Sequence, residues 1–127
     1  MIVEDDFTSR LLLQEILKRY GAAHVAVNGR EAVEAVSAAL AGGQAYDLVC
    51  LDIMMPEMDG YEALEKIRGL ESAWGIQPSR GVKVLVTTAL DRVRNVAQAF
   101  RGLCDAYLVK PIDAAMLQEQ LRKFELI

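Results

Sequence analysis

Five side chains in this sequence could share one piece of chemistry: the carboxylates of Glu4, Asp5 and Asp52, the hydroxyl of Thr88 and the ammonium of Lys110. Carboxylates a few ångström apart repel one another unless a cation joins them. Oxygen-only ligands in a small cluster suit Mg²⁺, which keeps several waters and takes one or two carboxylates. Lys110 is a mobile point charge that can pair with Asp52, or with a phosphoryl group placed on it. The Thr88 hydroxyl can donate to the same phosphoryl oxygens. Nucleophile, metal clamp, cationic clamp and hydroxyl donor are the equipment of phosphoryl transfer to an aspartate. Each residue alone is weak: an Asp that ends a strand also caps turns. The reading therefore needs a fold that brings them together.

The central element is residues 47–60, Asp-Leu-Val-Cys-Leu-Asp-Ile-Met-Met-Pro-Glu-Met-Asp-Gly. Its apolar run, residues 48–51, suits a strand buried on both faces. Asp52 ends that run, and Pro56 and Asp59-Gly60 signal a loop and a helix start. The rest of the chain alternates in the same way. Residues 1–3 form a short strand that stops at Glu4-Asp5-Asp6. A helix from Thr8 or Phe7 to about Tyr20 carries Leu12, Leu13, Ile16, Leu17 and Tyr20 on one face, and Gly21 stops it. Residues 24–27 are a second strand with His24 exposed. Asn28-Gly29 turns into a helix striped by Ala32, Val33, Val36 and Leu40, closed by Gly42-Gly43.

Asp59 caps the third helix, which buries Leu64 and Ile67. Residues 72–81 are the longest loop, and Trp74 in it is expected to pack the helix end onto the sheet. Residues 82–88 are the fourth strand, with Thr87 an ordinary member. Val93, Val96, Ala97 and Phe100 mark a fourth helix. Residues 105–109 are the fifth strand, ending in Lys110-Pro111, and Asp113 caps a last helix with Leu117, Leu121 and Phe124 inward. Strand and helix repeat five times, which predicts an α/β fold: a parallel sheet covered on both faces through right-handed crossovers. The doubly wound order 2-1-3-4-5, flavodoxin-like, makes strands one, three, four and five neighbours. Their carboxyl ends then hold Glu4, Asp5, Asp52, Thr88 and Lys110 at one edge, where such sheets bind ligands.

Composition sets bounds. The 127 residues, 53% hydrophobic, predict one domain over residues 1–127. A net charge of −4 offers no basic surface for nucleic acid. No apolar run reaches the length of a membrane span, and Glu4, Asp5 and Asp6 interrupt the place where a secretory leader needs an apolar segment. Cys50 and Cys104 lie in apolar, strand-like contexts without metal-ligand spacing and read as buried free thiols of a reducing cytoplasm.

The pieces Ile-Val-Glu4-Asp5-Asp6, Leu-Asp52-Ile-Met-Met-Pro56-Glu-Met-Asp59-Gly60, Thr88-Ala89 and Ala-Tyr107-Leu-Val-Lys110-Pro111 run through nearly the whole chain. Together they resemble a response-regulator receiver domain, the phosphoacceptor of two-component signalling. The resemblance implies that Asp52 is the phosphorylated residue, that Asp5 binds Mg²⁺ directly and Glu4 mainly through water, and that Met54 supplies a backbone carbonyl. It makes Thr88 the hydroxyl switch, Tyr107 the aromatic switch and Lys110 the family's lysine, with a cis bond to Pro111. Glu4 departs mildly from the commoner Asp.

The resemblance implies a protein that is no enzyme in its own right, yet assists its own phosphorylation and dephosphorylation. Its donor is a histidine kinase or a phosphotransfer protein. Its output is a downstream protein target or an output domain outside this sequence, with a dimer through the last helix and strand left open. Met54 and Leu90 lie two residues past Asp52 and Thr88, and both are apolar. They are expected to flank the phosphoryl group and hinder hydrolytic water. Plainer roles stand beside these: Tyr107 as strand core, Asp6 as a helix-start charge, Asp59 as a cap. An aspartate-nucleophile phosphatase needs a second acid where Met54 stands. A nucleotide-binding domain needs a Gly-rich loop where Glu4-Asp5-Asp6 stands. A degenerate receiver serving only as an interaction module is the third alternative. The sequence leans to a stand-alone regulator over one domain cut from a transcription factor or hybrid kinase.

Overall fold

The structure, a computed structural model, describes residues 1–53 and 58–127. In chain order the elements are β1 (Ile2–Val3), α1 (Phe7–Leu17), β2 (Val25–Ala26), α2 (Gly29–Ala41), β3 (Leu48–Asp52), α3 (Gly60–Ala73), β4 (Lys83–Thr88), α4 (Val93–Ala99), β5 (Ala106–Val109) and α5 (Ala114–Lys123). Short 3₁₀ turns, Pro78–Arg80 and Leu90–Arg92, precede β4 and α4. The five strands are parallel in the order β2-β1-β3-β4-β5. This is the expected α/β flavodoxin-like sheet.

Strand alternation builds two cores from one sheet. Val3, Val49, Leu51, Val84 and Val86 point to one face and pack with Ala32 and Val36 of α2, Leu64 and Ile67 of α3, and Val96 and Phe100 at α4. Ile2, Cys50, Leu85 and Leu108 point to the other face and pack with Leu13 and Leu17 of α1 and Leu117 and Leu121 of α5. Burying each Leu or Ile contributes about 1.5–3 kcal/mol, so the central strands anchor the fold.

Caps start the helices where the sequence places them. The side chains of Asp6, Asn28, Asp59 and Asp113 accept from the backbone N–H groups of Ser9, Glu31, Glu62 and Ala115. Gly42 closes α2, and Gly43 follows with φ 73°, where a side chain would be strained. Three readings need correction. Helix α1 stops at Leu17, and Leu12 and Tyr20 are exposed, because the face that packs on the sheet is Leu13, Ile16 and Leu17. Trp74 is 56% exposed: the inward stripe of α3 ends at Glu71, and the chain leaves through Gly75 at φ 76°. Cys104 is only half-buried and lies before β5, unlike Cys50, whose burial pushes its thiol up to about 12.

Candidate functional site

Strand ends carry the site. Glu4 follows β1, and its N–H donates to the Ala26 carbonyl at 3.0 Å, which continues the ladder to β2. Asp52 is the last residue of β3. Lys110 follows β5 and is fixed by its N–H donating to the Thr88 carbonyl at 2.7 Å. Glu4 is fully buried and Asp52 only 5% exposed, so both charges need partners. The Lys110 Nζ supplies one, donating to Glu4 Oε1 at 2.7 Å and standing 3.4 Å from Asp52 Oδ1. Burial of the ammonium works against its charge. The hydrogen bond to Glu4 and the negative charges of Asp52 and Glu4 outweigh that, and the Lys110 pKa is raised above its ordinary value.

Asp5 completes the cluster from the exposed side. One carboxylate oxygen from each of Glu4, Asp5 and Asp52 lies within 4.8 Å of the others. Three carboxylates against one ammonium leave the cluster short of positive charge. An all-oxygen donor set with an open, solvent-facing Asp5 fits a small hard cation that keeps some of its waters. The residues present therefore fit Mg²⁺. Met54, expected to add a backbone carbonyl, lies outside the described residues.

The β3–α3 junction is built tightly. The Gly60 N–H donates to the Ile53 carbonyl at 3.2 Å, and a Cβ on Gly60 would stand 2.8 Å from Ile53 Cα. The start of α2 supports the same region from the side, because a Cβ on Gly29 would collide with the Met58 carbonyl.

Thr88 is buried at the end of β4, its hydroxyl 3.4 Å from the Ala89 carbonyl. Tyr107 pairs in register with Val86, two residues before Thr88, so Thr88 and Tyr107 share a sheet face. Tyr107 is 41% exposed, which removes its reading as plain core. Leu90 stands out into solvent past Thr88. Asp6 acts as the α1 cap: the Ser9 N–H holds its carboxyl below the ordinary range. The Lys110-Pro111 bond is cis.

Two residues beside the site carry no site role in the sequence reading. Arg10 donates to the Glu4 carbonyl at 3.3 Å; its place one turn into α1, four residues after the cap Asp6, was the available signal. Thr87 pairs in register with Asp52 and is buried; a second threonine inside an apolar strand was the only hint.

The profile of the response regulator receiver domain family matches residues 1–122. The chain belongs to that family. It is 34% identical over 124 residues to the transcriptional regulatory protein ZraR of Escherichia coli K12, covering 97% of this chain and 25% of that protein. The chain thus spans about a quarter of the length of the curated relatives it matches. Among solved structures it resembles the receiver domain of Saccharomyces cerevisiae Ssk1, solved with the phosphotransfer protein Ypd1: TM-score 0.80, 27% identity, 97% of this chain and 85% of that one. It also resembles the receiver domain of the histidine kinase CKI1 of Arabidopsis thaliana in complex with Mg²⁺ and BeF₃⁻: TM-score 0.73, 28% identity, 98% of this chain and 87% of that one. Among the described residues of this receiver domain, no helix is long and apolar enough to cross a membrane.

Proposed function

We propose that this receiver domain accepts a phosphoryl group on Asp52 from a phosphohistidine of a kinase or phosphotransfer protein, or from a small phosphodonor. The observation that carries the reading is the convergence of Glu4, Asp5, Asp52 and Lys110, with the carboxylate oxygens within 4.8 Å and one ammonium among them. An Asp52 carboxylate oxygen attacks phosphorus, the phosphorus–nitrogen bond of the donor breaks, and the imidazole keeps the electron pair. Lys110 holds the attacking carboxylate in place and then faces the negative charge spreading over the phosphoryl oxygens. Glu4 and Asp5 would hold Mg²⁺, which when bound offsets that same charge. Water later attacks phosphorus and restores the Asp52 carboxylate. The chain thus acts as acceptor and helper of its own reaction, without turning over a separate substrate.

The output is a population shift. Phosphoryl oxygens draw in the Thr88 hydroxyl, whose 3.4 Å contact with Ala89 is weak enough to exchange. Tyr107, exposed on the same face, moves toward the space Thr88 leaves. The surface formed by α4, β5 and α5 then favours a protein target or an output domain outside this sequence. The apolar Phe7 and Leu11, exposed on α1 beside the site, suit docking of the phosphodonor protein. The likeness to a receiver solved with a phosphotransfer protein supports that partner class.

Intact mass after incubation with Mg²⁺ and a small phosphodonor tests the acceptor. Wild type should gain one phosphoryl mass and Asp52→Asn none. Labelling that survives Asp52→Asn would place the acceptor elsewhere. No labelling in either would leave an interaction module.

A further inference from the structure

Thr87 is 1% exposed, and its Oγ1 has no hydrogen-bond partner among the described residues. A buried hydroxyl left unpaired costs stability that a valine of the same shape would not. Its place is specific. Register pairs Asp52 with Thr87 and Thr87 with Leu108, so these side chains form one row on the α1–α5 face of the sheet. Glu4 extends that row on β1, one residue past the Val3–Leu51 pair. Lys110, two residues past Leu108, projects on the same face by strand alternation.

The strand order β1-β3-β4-β5 decides the geometry. Lys110 leaves the end of β5, yet its Nζ reaches Asp52 on β3 and Glu4 beyond β1. Its stem must cross the end of β4, where Thr87 stands. An ammonium has three donors, and two face Glu4 and Asp52. A divalent cation seated on Glu4, Asp5 and Asp52 takes the same oxygens and repels a like charge beside it. The ammonium then withdraws along its own stem, back toward β4.

We propose that Thr87 is a positioning residue for Lys110: its hydroxyl accepts from the ammonium once the cation displaces it from Glu4, and so keeps Lys110 beside Asp52 for the incoming phosphoryl group. This rests on the phosphoacceptor reading above. Here Lys110 donates to Glu4, and the Thr87 hydroxyl has no partner among the described residues.

The test compares Thr87→Val, which removes only the hydroxyl, with Thr87→Ser, which keeps it. Melting without Mg²⁺, the Mg²⁺ dissociation constant by calorimetry and the phosphorylation rate are read for each. Thr87→Val should melt higher than wild type without Mg²⁺, bind Mg²⁺ about fivefold more weakly and accept phosphoryl groups more slowly, by the worth of one hydrogen bond. Thr87→Ser should stay near wild type in Mg²⁺ affinity and rate. In a Lys110→Met background, Thr87→Val should have no further effect on Mg²⁺ affinity. Wild-type affinity and rate in Thr87→Val would overturn the proposal while leaving the phosphoacceptor reading intact. An undiminished Thr87→Val effect without Lys110 would overturn it too. A wild type that binds no Mg²⁺ and takes no phosphoryl group would instead defeat the underlying reading.

Discussion

Two clusters of charge sit at opposite ends of β4. At its start, the Arg68 guanidinium donates to the Leu103 and Val82 carbonyls, to Glu71 Oε1 at 2.8 Å and to Asp105 Oδ2 at 3.2 Å. Glu71 and Asp105 accept in turn from the N–H groups of Val82 and Val84, and Lys83 lies 4.0 Å from Asp105. Two cations meet two carboxylates, and nearly every donor has an acceptor. At the other end, among the described residues, one ammonium pairs with two carboxylates, Glu4 and Asp52, and the Asp5 carboxylate lies within 4.8 Å of both. Both clusters use carboxylates and cations at the two edges of one sheet. The balanced one can only clamp α3 and β5 to β4. The unbalanced one stores repulsion that a cation, or loss of one negative charge, relieves.

The largest effect expected is on the clamp. Arg68→Ala strands Glu71, Asp105 and two carbonyls, and should cost about 3 kcal/mol in urea denaturation. That is the low end for a broken buried pair, because Arg68 is 21% exposed. A loss below about 1 kcal/mol, the value of a surface pair, would remove the contrast. Next comes the cation. At one hundred times its dissociation constant Mg²⁺ should stabilise wild type by about 2.7 kcal/mol. Asp105→Asn should keep that gain, and Asp52→Asn should lose most of it. A smaller effect appears at alkaline pH. The folded-state pKa of Lys110 is raised, chiefly by Glu4 and Asp52 against its own burial. Its stabilisation is therefore complete below the ordinary lysine value of about 10.4 and fades as pH rises through the higher folded value. Wild type should lose more stability than Lys110→Met over that window. Arg68→Ala, at the far edge of the sheet, should leave that alkaline loss unchanged.

The two clusters were not equally legible in the sequence. The active end announces itself: an apolar run ending in Asp52, acids after β1 and Lys110-Pro111 after β5 all sit where strands must stop. The caps at Asp59 and Asp113 and the stop at Gly42-Gly43 are local, and local chemistry decides them. The clamp is invisible because Arg68 and Glu71, spaced i and i+3, look like an ordinary solvated helix pair. Only the packed fold reveals that Glu71 is buried against the Val82 N–H. Asp105 reads as the first residue of a strand, yet it stands before β5 and captures the Val84 N–H. Trp74 fails for a related reason. Periodicity gives a helix its face, while the end of that face depends on where the chain turns away, here at Gly75.

Neutralising one acid at each end tests the contrast most directly. Asp52→Asn and Asp105→Asn each remove one negative charge, and urea denaturation without Mg²⁺ at neutral pH reads both on one scale. Asp52→Asn should raise stability by about 1 kcal/mol, through relieved repulsion among the carboxylates. Asp105→Asn should lower it by about the same amount, through its weakened bonds to Arg68 and Val84. Opposite signs would confirm that the site is held short of positive charge. A loss in both variants would contradict the account, since Asp52 would then be as well compensated as the clamp.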